Sequence, residues 1–420
     1  MQSKKIIMQP KAHLFVVDCD TMPIHIQKGF CGIVKINPTN RRGHSNVSFY
    51  GQLSDLMNIS VGDLVYFYMQ TKSTDRKFFQ LQNQNDFEKL GQGYYGVFRV
   101  IDKPFISERE VRGEFPFDNF FIFGSRDNEN YSNFQQEENR LPILSVRIPI
   151  EPINDYEDLR NKFVDDNQAY IDKTDEGQLS TLLFKKIKRK GEERSITPIL
   201  PEEASKIARL IFKQERKNFP LNIGRNLVRK REDEENIKLT MSSRDRIVLD
   251  VEAMLEAYIL NNLNNSLTLG PIDDVVGNYD EIEFCGNQVQ YGISGNKVDI
   301  LLLHRKNIAG NTNYRYRATV MELKKERIKL DDIEQIIDYQ KWIAQLTTFN
   351  NLKAIQPILI GKRPSARMTT NTKAKIRENL NTIERIGIST PRFFEYSINF
   401  NNDQITDLNF QEFNINDLIQ

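Results

Sequence analysis

Residues 295–305, GNKVDILLLHR, and residues 316–325, YRATVMELKK, decide how the rest of the chain is read. Both are apolar runs of strand length, and the segment between them, IAGNTNYRY (308–316), has the Asn and Gly of a hairpin connection. On a strand, residues two apart face the same side, so Glu322 and Lys324 converge while Met321 and Leu323 bury the other face. If the two runs pair as a hairpin, Asp299 reaches the same point as Glu322. Downstream, DDIEQIIDYQKWIAQL (331–346) reads as a helix capped by Asp331 or Asp332, and IQPILIG (355–361) as a third strand. Gln335 and Tyr339 are four apart on that helix and share a face. Upstream, RDRIVLDVEAMLEAYILNNL (244–263) reads as an amphipathic helix with Ile247, Val251, Leu255 and Tyr258 on one stripe. It carries Glu252, and Glu256 one turn later. A further helix (372–386, TKAKIRENLNTIERI) and a strand (392–400, RFFEYSINF) complete an α/β pattern.

Two hard carboxylates beside one lysine suit Mg²⁺, with Mn²⁺ as a substitute. Such a cation polarises a phosphate and generates hydroxide, while the lysine orients water or neutralises developing charge, the chemistry of phosphodiester hydrolysis. Glu252 would complete the metal shell, and the choice between it and Glu256 is open. The plain alternative is a strand that runs out into a charged surface loop, with Asp299 capping a turn. The order helix-Glu, strand-Asp, strand-ExK, helix-QxxxY is much rarer than any one of its parts, and it favours the site.

In that order the pattern resembles the PD-(D/E)XK nuclease superfamily, and Gln335 with Tyr339 resembles the QxxxY helix of its RecB-like branch. The wider run GNKVDILLLHR…ATVMELKKERIKLDDIEQIIDYQKWI…QPILIGKRP is similar to the C-terminal nuclease domain of Shedu antiphage proteins, and more distantly to archaeal NucS endonucleases. The similarity spans roughly residues 244–400. It implies a restriction-endonuclease-like α/β core in which Asp299, Glu322, Lys324 and Glu252 are catalytic and Gln335 positions substrate or metal. It further implies foreign DNA as substrate, defence against phage as the role, and a homo-oligomer, with a tetramer among the assemblies. Val298 stands where the superfamily often has proline.

The first third reads as β: HLFVVD, FCGIVKI, NVSFYGQL (46–53), DLVYFYM (63–69), YYGVFRVI, FFIFG (120–124) and ILSVRIPI, punctuated by glycines. Many short strands with regular turns predict a small barrel over residues 1–150. GDLVYFYM followed by YYGVFRVIDKPF resembles PUA-like, particularly EVE-type, modules, which hold a modified or flipped base in an aromatic pocket. Tyr66, Tyr68, Phe30, Tyr94 and Tyr95 are the candidates for that pocket, or else ordinary core aromatics. Residues 151–240 read as a helical connector, with helices in YEDLRNKFVDDNQAYI (156–171) and EEASKIARLIFKQERK (202–217) and a solvated linker in RNLVRKREDEEN (225–236). The nuclease part is expected from residue 241 to 420, carrying the catalytic machinery by itself.

Composition narrows the classes. The 420 residues suit two or three domains, and 58 Lys+Arg against 57 Asp+Glu exclude a wholesale basic coat, so any nucleic-acid contact is local. No apolar run approaches a bilayer span, no secretion signal shows, and three cysteines argue for a reducing cytoplasm. His13, Cys19, His25 and Cys31 lack zinc-ligand spacing. KKIKRK (185–190) is a solvated loop or a phosphate contact, and GQGYYG lacks the strand-to-helix context of a nucleotide fingerprint. Besides a DNA-cleaving enzyme, the sequence admits a modification-dependent endonuclease, a non-catalytic nucleic-acid-binding regulator, and RNA as substrate.

Overall fold

The computed structural model describes residues 7–8, 10–17, 22–33, 44–69, 93–107, 144, 146–153, 169–172, 196–212, 217–218, 229–243, 245–265, 271–277, 281–291, 296–308, 312–346, 352–365, 367–385 and 387–419. The protein is a mixed α/β structure built on two sheets. No described helix is long and apolar enough to cross a membrane.

The chain opens with β1 (Ile7–Met8), β2 (Ala12–Val17), α1 (Met22–Lys28), β3 (Phe30–Ile33) and α2 (His44–Met57). Next come β4 (Leu64–Met69), β5 (Gly93–Val100), β6 (Phe105–Ile106), β7 (Val146–Pro152), β8 (Ala169–Asp172), β9 (Ile196–Ile199), α3 (Pro201–Phe212) and β10 (Lys217–Asn218). Strands β2 to β10 form a nine-stranded sheet along the path β10-β8-β5-β4-β2-β9, with β7 joining β5 to β3 and β6. Among the described residues the path ends at β10 and β9 and does not return on itself. Alternation along β4 explains why both faces are covered. Val65 and Phe67 enter a core with Phe15, Phe98 and Ile148, whereas Tyr66 enters a second core under α3. The α3 stripe Ala204, Ile207, Ala208 and Ile211 supplies that cover at helical spacing.

Two expectations are corrected here. Residues 46–53 are helical, within α2: their aromatic content reads as strand, but Tyr50, Leu53 and Met57 recur at helical steps and bury in the core of the second sheet. The connector is not a separate helical piece, since β8, β9 and β10 are strands of the N-terminal sheet. The linker is solvated as expected, with Arg231, Glu232, Asp233 and Glu235 exposed, and it is anchored at its end: Asn236 bridges to Phe105, Ile237 N–H donates to Pro104 O at 2.9 Å, and the Ile237 side chain packs against both cores. Residues 120–124, 156–168 and 185–190 lie outside the described residues.

The second half contains α4 (Glu252–Asn265), α5 (Pro271–Val276), β11 (Glu281–Tyr291), β12 (Asn296–Ile308), β13 (Thr312–Arg327) and α6 (Leu330–Leu346). It ends with β14 (Ile355–Lys362), α7 (Thr370–Arg385), β15 (Arg392–Asn401), β16 (Gln404–Phe413) and α8 (Asn416–Ile419). Its seven-stranded sheet runs β1-β11-β12-β13-β14-β15-β16. The β12–β13 hairpin is antiparallel as expected, and β13, β14 and β15 are parallel, with α6 and α7 as the crossovers. Helices α4, α5 and α2 cover one face, α6 and α7 the other. The helix expected from residue 244 begins only at Glu252. Asp245 Oδ1 accepts the Ile247 and Val248 N–H groups at 3.0 and 2.9 Å, an Asx turn that holds this segment off the helix and leaves Ile247 exposed.

Candidate functional site

β12 and β13 register Ile300 against Met321, which sets Asp299 opposite Glu322 one step beyond the last registered pair. The strands part at that step. The Leu323 N–H, freed from the ladder, donates to Asp299 Oδ2 at 2.8 Å. Met321 and Leu323 are fully buried, as the alternation requires, and Glu322 and Lys324 emerge on the opposite face. Lys324 Nζ donates to Glu322 Oε1, and it lies 3.8 Å from Asp332 Oδ1. Gly361 on β14 lets this strand end pack closely: a Cβ there would meet Ile328 Cγ1 at 2.9 Å and Lys324 Cβ at 3.2 Å.

The electrostatics follow from burial. Desolvation pushes the Asp299 carboxyl well above the usual carboxylate range, and Glu322, Glu252 and Glu256 push it the same way. Burial raises Glu322 to about 7 although Lys324 pulls it down. Glu252, the first residue of α4, is raised by burial against the pull of Lys324. On Lys324 burial opposes the charge, but Glu322, Glu252 and Asp299 outweigh it and hold the ammonium protonated.

The expected residues Asp299, Glu322, Lys324 and Glu252 therefore share one electrostatic neighbourhood. Glu256 is the more deeply engaged helical carboxylate: Oε1 accepts from Ser54 Oγ and from Asn287 Nδ2, and Oε2 from Gln288 Nε2 at 2.6 Å. Gln335 does not reach the carboxylates by hydrogen bond; it donates to the Tyr339 hydroxyl, which donates to Lys297 O at 2.6 Å. The pair thus ties α6 to the strand that carries Asp299. Of the two candidate caps, Asp332 serves, its Oδ2 accepting the Lys329 N–H at 2.7 Å as the return half of a capping box.

No protein-family model matches the chain, and no curated protein matches it.

The donor set suits a divalent cation in part. Glu322 Oε2 is buried with no hydrogen-bond partner among the described residues, and Asp299 and Glu322 are the hard oxygen donors that Mg²⁺ takes one or two at a time, with water and phosphate completing its shell. A closed three-carboxylate shell is not assembled: among the described residues no three His, Cys, Asp or Glu side chains converge to hold a metal ion. Glu252 acts on the site through its charge, which raises both the Asp299 and the Glu322 carboxyl. A cleft of about 660 Å³ opens beside the next stretch of β13, lined by the cations Lys325, Arg327, Lys329, Lys362 and Arg363 and by the carboxylates Asp245, Asp250, Glu326 and Glu395; Asp299, Glu322 and Lys324 do not line it.

Of the two readings of the N-terminal aromatics, the packed core is the one seen. Tyr66 is fully buried and its hydroxyl donates to Ala204 O at 2.9 Å under α3; Tyr94 and Tyr68 belong to the same core, their own rings tilted against each other with centroids 4.8 Å apart. Tyr95 is buried in the core on the other face, and Phe30 is buried beneath the Arg147 guanidinium. Tyr66, Tyr68, Phe30 and Tyr95 do not line one pocket. His13 Nε2 meets Asp63 Oδ2 at 2.8 Å, and His25 Nδ1 accepts the Gly32 N–H at 3.0 Å, so both have structural partners; Cys19 lies outside the described residues. Sequence reasoning missed Ser54, Asn287 and Gln288, and read Asp332 only as a helix cap. The polar pair Asn287–Gln288 inside an otherwise strand-like run was the available signal.

Proposed function

We propose that this chain is a metal-dependent endodeoxyribonuclease that nicks or cleaves foreign DNA in antiphage defence, acting in the cytoplasm. The observation that carries the chemistry is the meeting of Asp299, Glu322 and Lys324 at one parted strand end, with a buried Glu322 oxygen lacking a hydrogen bond. The defence role rests on the resemblance of the motif run to Shedu nuclease domains. A bound Mg²⁺, or Mn²⁺ in its place, would supply Lewis-acid polarisation of the scissile phosphate and a lowered pKa for water. The Leu323 N–H and Gln288 fix the Asp299 carboxylate, and Lys324, held charged by the surrounding carboxylates, faces the developing negative charge. Lys325, Arg327 and Lys329 in the neighbouring cleft would give backbone phosphates contacts to one side of the cut.

The test is cleavage of supercoiled plasmid DNA by the full chain with Mg²⁺, with linear DNA and RNA as parallel substrates, because hydrolysis at such a site does not select the sugar. Glu322→Ala and Lys324→Ala should each lower the rate by roughly 100-fold or more, the scale for losing a preorganised charge in a catalytic site, with melting temperatures near wild type. A Lys324→Ala chain that cleaves at near wild-type rate overturns the assignment.

A further inference from the structure

Gln288 sits opposite Asp299 in the β11–β12 register, between the paired positions Asn287↔Ile300 and Val289↔Val298, yet it drops out of that pairing. Its backbone is left-handed, with φ at +51°, a conformation unfavourable for any residue carrying a Cβ. The side chain explains what that strain accomplishes. Gln288 Nε2 donates to both Glu256 Oε2 at 2.6 Å and Asp299 Oδ1 at 3.0 Å, bridging two carboxylates that would otherwise repel. Its neighbour Asn287 is turned the other way. Asn287 Nδ2 donates to Asp55 Oδ1 at 2.8 Å and to Glu256 Oε1 at 3.0 Å, and Asn58 Nδ2 donates to Asn287 Oδ1 at 3.1 Å. Ser54 Oγ also donates to Glu256 Oε1, and Ser54, Asp55, Asn58, Glu256 and Asn287 are all buried.

We propose that Gln288 is a positioning residue for Asp299, and that the end of α2, through Ser54 and Asp55, sets its aim by way of Glu256 and Asn287. The proposal rests on the metal-dependent reading above and names the device that orients its central carboxylate. Such a relay puts the seating of an N-terminal helix two side chains away from Asp299. Apart from Asn58 Oδ1, which has no hydrogen-bond partner among the described residues, the members of this buried network bond one another and so specify one geometry; loss of a residue that orients a metal-binding carboxylate characteristically weakens metal affinity by about 10- to 100-fold.

Mn²⁺ binding to the full chain, measured by calorimetry together with thermal melting, tests it without relying on cleavage. Gln288→Gly removes the amide but suits the left-handed backbone, so the melting temperature should hold or rise while Mn²⁺ affinity falls about 10- to 100-fold. Ser54→Ala should weaken Mn²⁺ binding in the same direction, and Ser54→Thr, which keeps the hydroxyl, should restore it. A Gln288→Gly chain that binds Mn²⁺ as wild type does, or that melts well below wild type, overturns the positioning role. Unchanged affinity in Ser54→Ala removes α2 from the relay. If the wild-type chain binds no Mn²⁺, or Asp299→Ala binds it equally well, the metal reading itself fails and takes the relay with it.

Discussion

At the scale of the residue, Glu322 and its neighbours are held in a condition that folding alone does not favour. Desolvation raises Glu322 from an ordinary 4.5 to about 7, and Asp299 and Glu252 are raised by burial as well. A raised carboxyl keeps in the folded chain a proton that the unfolded chain has released. Its favourable contribution is therefore complete below pH 4.5 and is lost as pH climbs towards about 7. Without added metal, the melting temperature should fall between pH 5 and pH 8, and Mg²⁺ added at pH 8 should recover part of the loss by favouring the ionised carboxylates. Glu322→Gln should flatten the profile and, at pH 8 without metal, stabilise the chain by on the order of 1–3 kcal/mol. A wild-type melting temperature that rises steadily across this range would remove the burial argument for the cluster.

At the scale of the element, Tyr66 separates a recognition pocket from a packed core. Its ring is buried against α3 and its hydroxyl donates to Ala204 O. Tyr66→Phe should cost about 0.5–1.5 kcal/mol, the net worth of one such hydrogen bond, and Tyr66→Ala about 3–5 kcal/mol by opening a cavity. Denaturant unfolding measures both, and neither variant should alter which DNA is cut. A stable Tyr66→Ala chain with changed selectivity would restore the pocket. The strand that carries Tyr66 was readable from its aromatic alternation, as were the β12–β13 hairpin from its apolar runs and α6 from its spacing. What was not readable depended on partners distant in sequence. The run containing Tyr50 and Leu53 looks like strand until α4 is there to receive it, and the start of α4 is set by an Asx turn at Asp245 that a helical stripe through Ile247 conceals. Asp299, Glu322 and Lys324 were legible because their spacing is local to a strand pair. Gln288 was not, since its role depends on a left-handed backbone and a carboxylate from another element.

At the scale of the whole molecule, the two sheets share strands and core across the division expected at residue 241. β1 pairs in parallel with β11, Ile7 against Glu281 and Met8 against Ile282, so residues at the start of the chain edge the sheet that bears the candidate site. Lys11 Nζ, buried, donates to Asn264 Oδ1 on α4 at 2.6 Å, and Asn58 Nδ2 donates to Cys285 O at 3.1 Å. Tyr50, Leu53 and Met57 of α2 belong to the same core as Leu255, Ile259 and Ile300. A chain starting at residue 241 would lose these three side chains and expose what they cover. At about 1.5–3 kcal/mol for each large apolar burial, the loss is on the order of 5 kcal/mol or more, comparable with the whole stability of an ordinary domain. It would also strip Glu256 of the Ser54 hydroxyl. Residues 241–420 expressed alone should therefore aggregate or melt at least about 10 °C below the full chain, and should not bind Mn²⁺ with full affinity. Supplying residues 1–240 as a separate chain in the same cells should recover a one-to-one complex that cuts DNA with Mg²⁺, because the shared core can re-form without the covalent link. Size-exclusion chromatography of the co-expressed pieces decides it: a C-terminal piece that runs alone, folded and with wild-type metal affinity, would mean that α2 covers the site's sheet without supporting it.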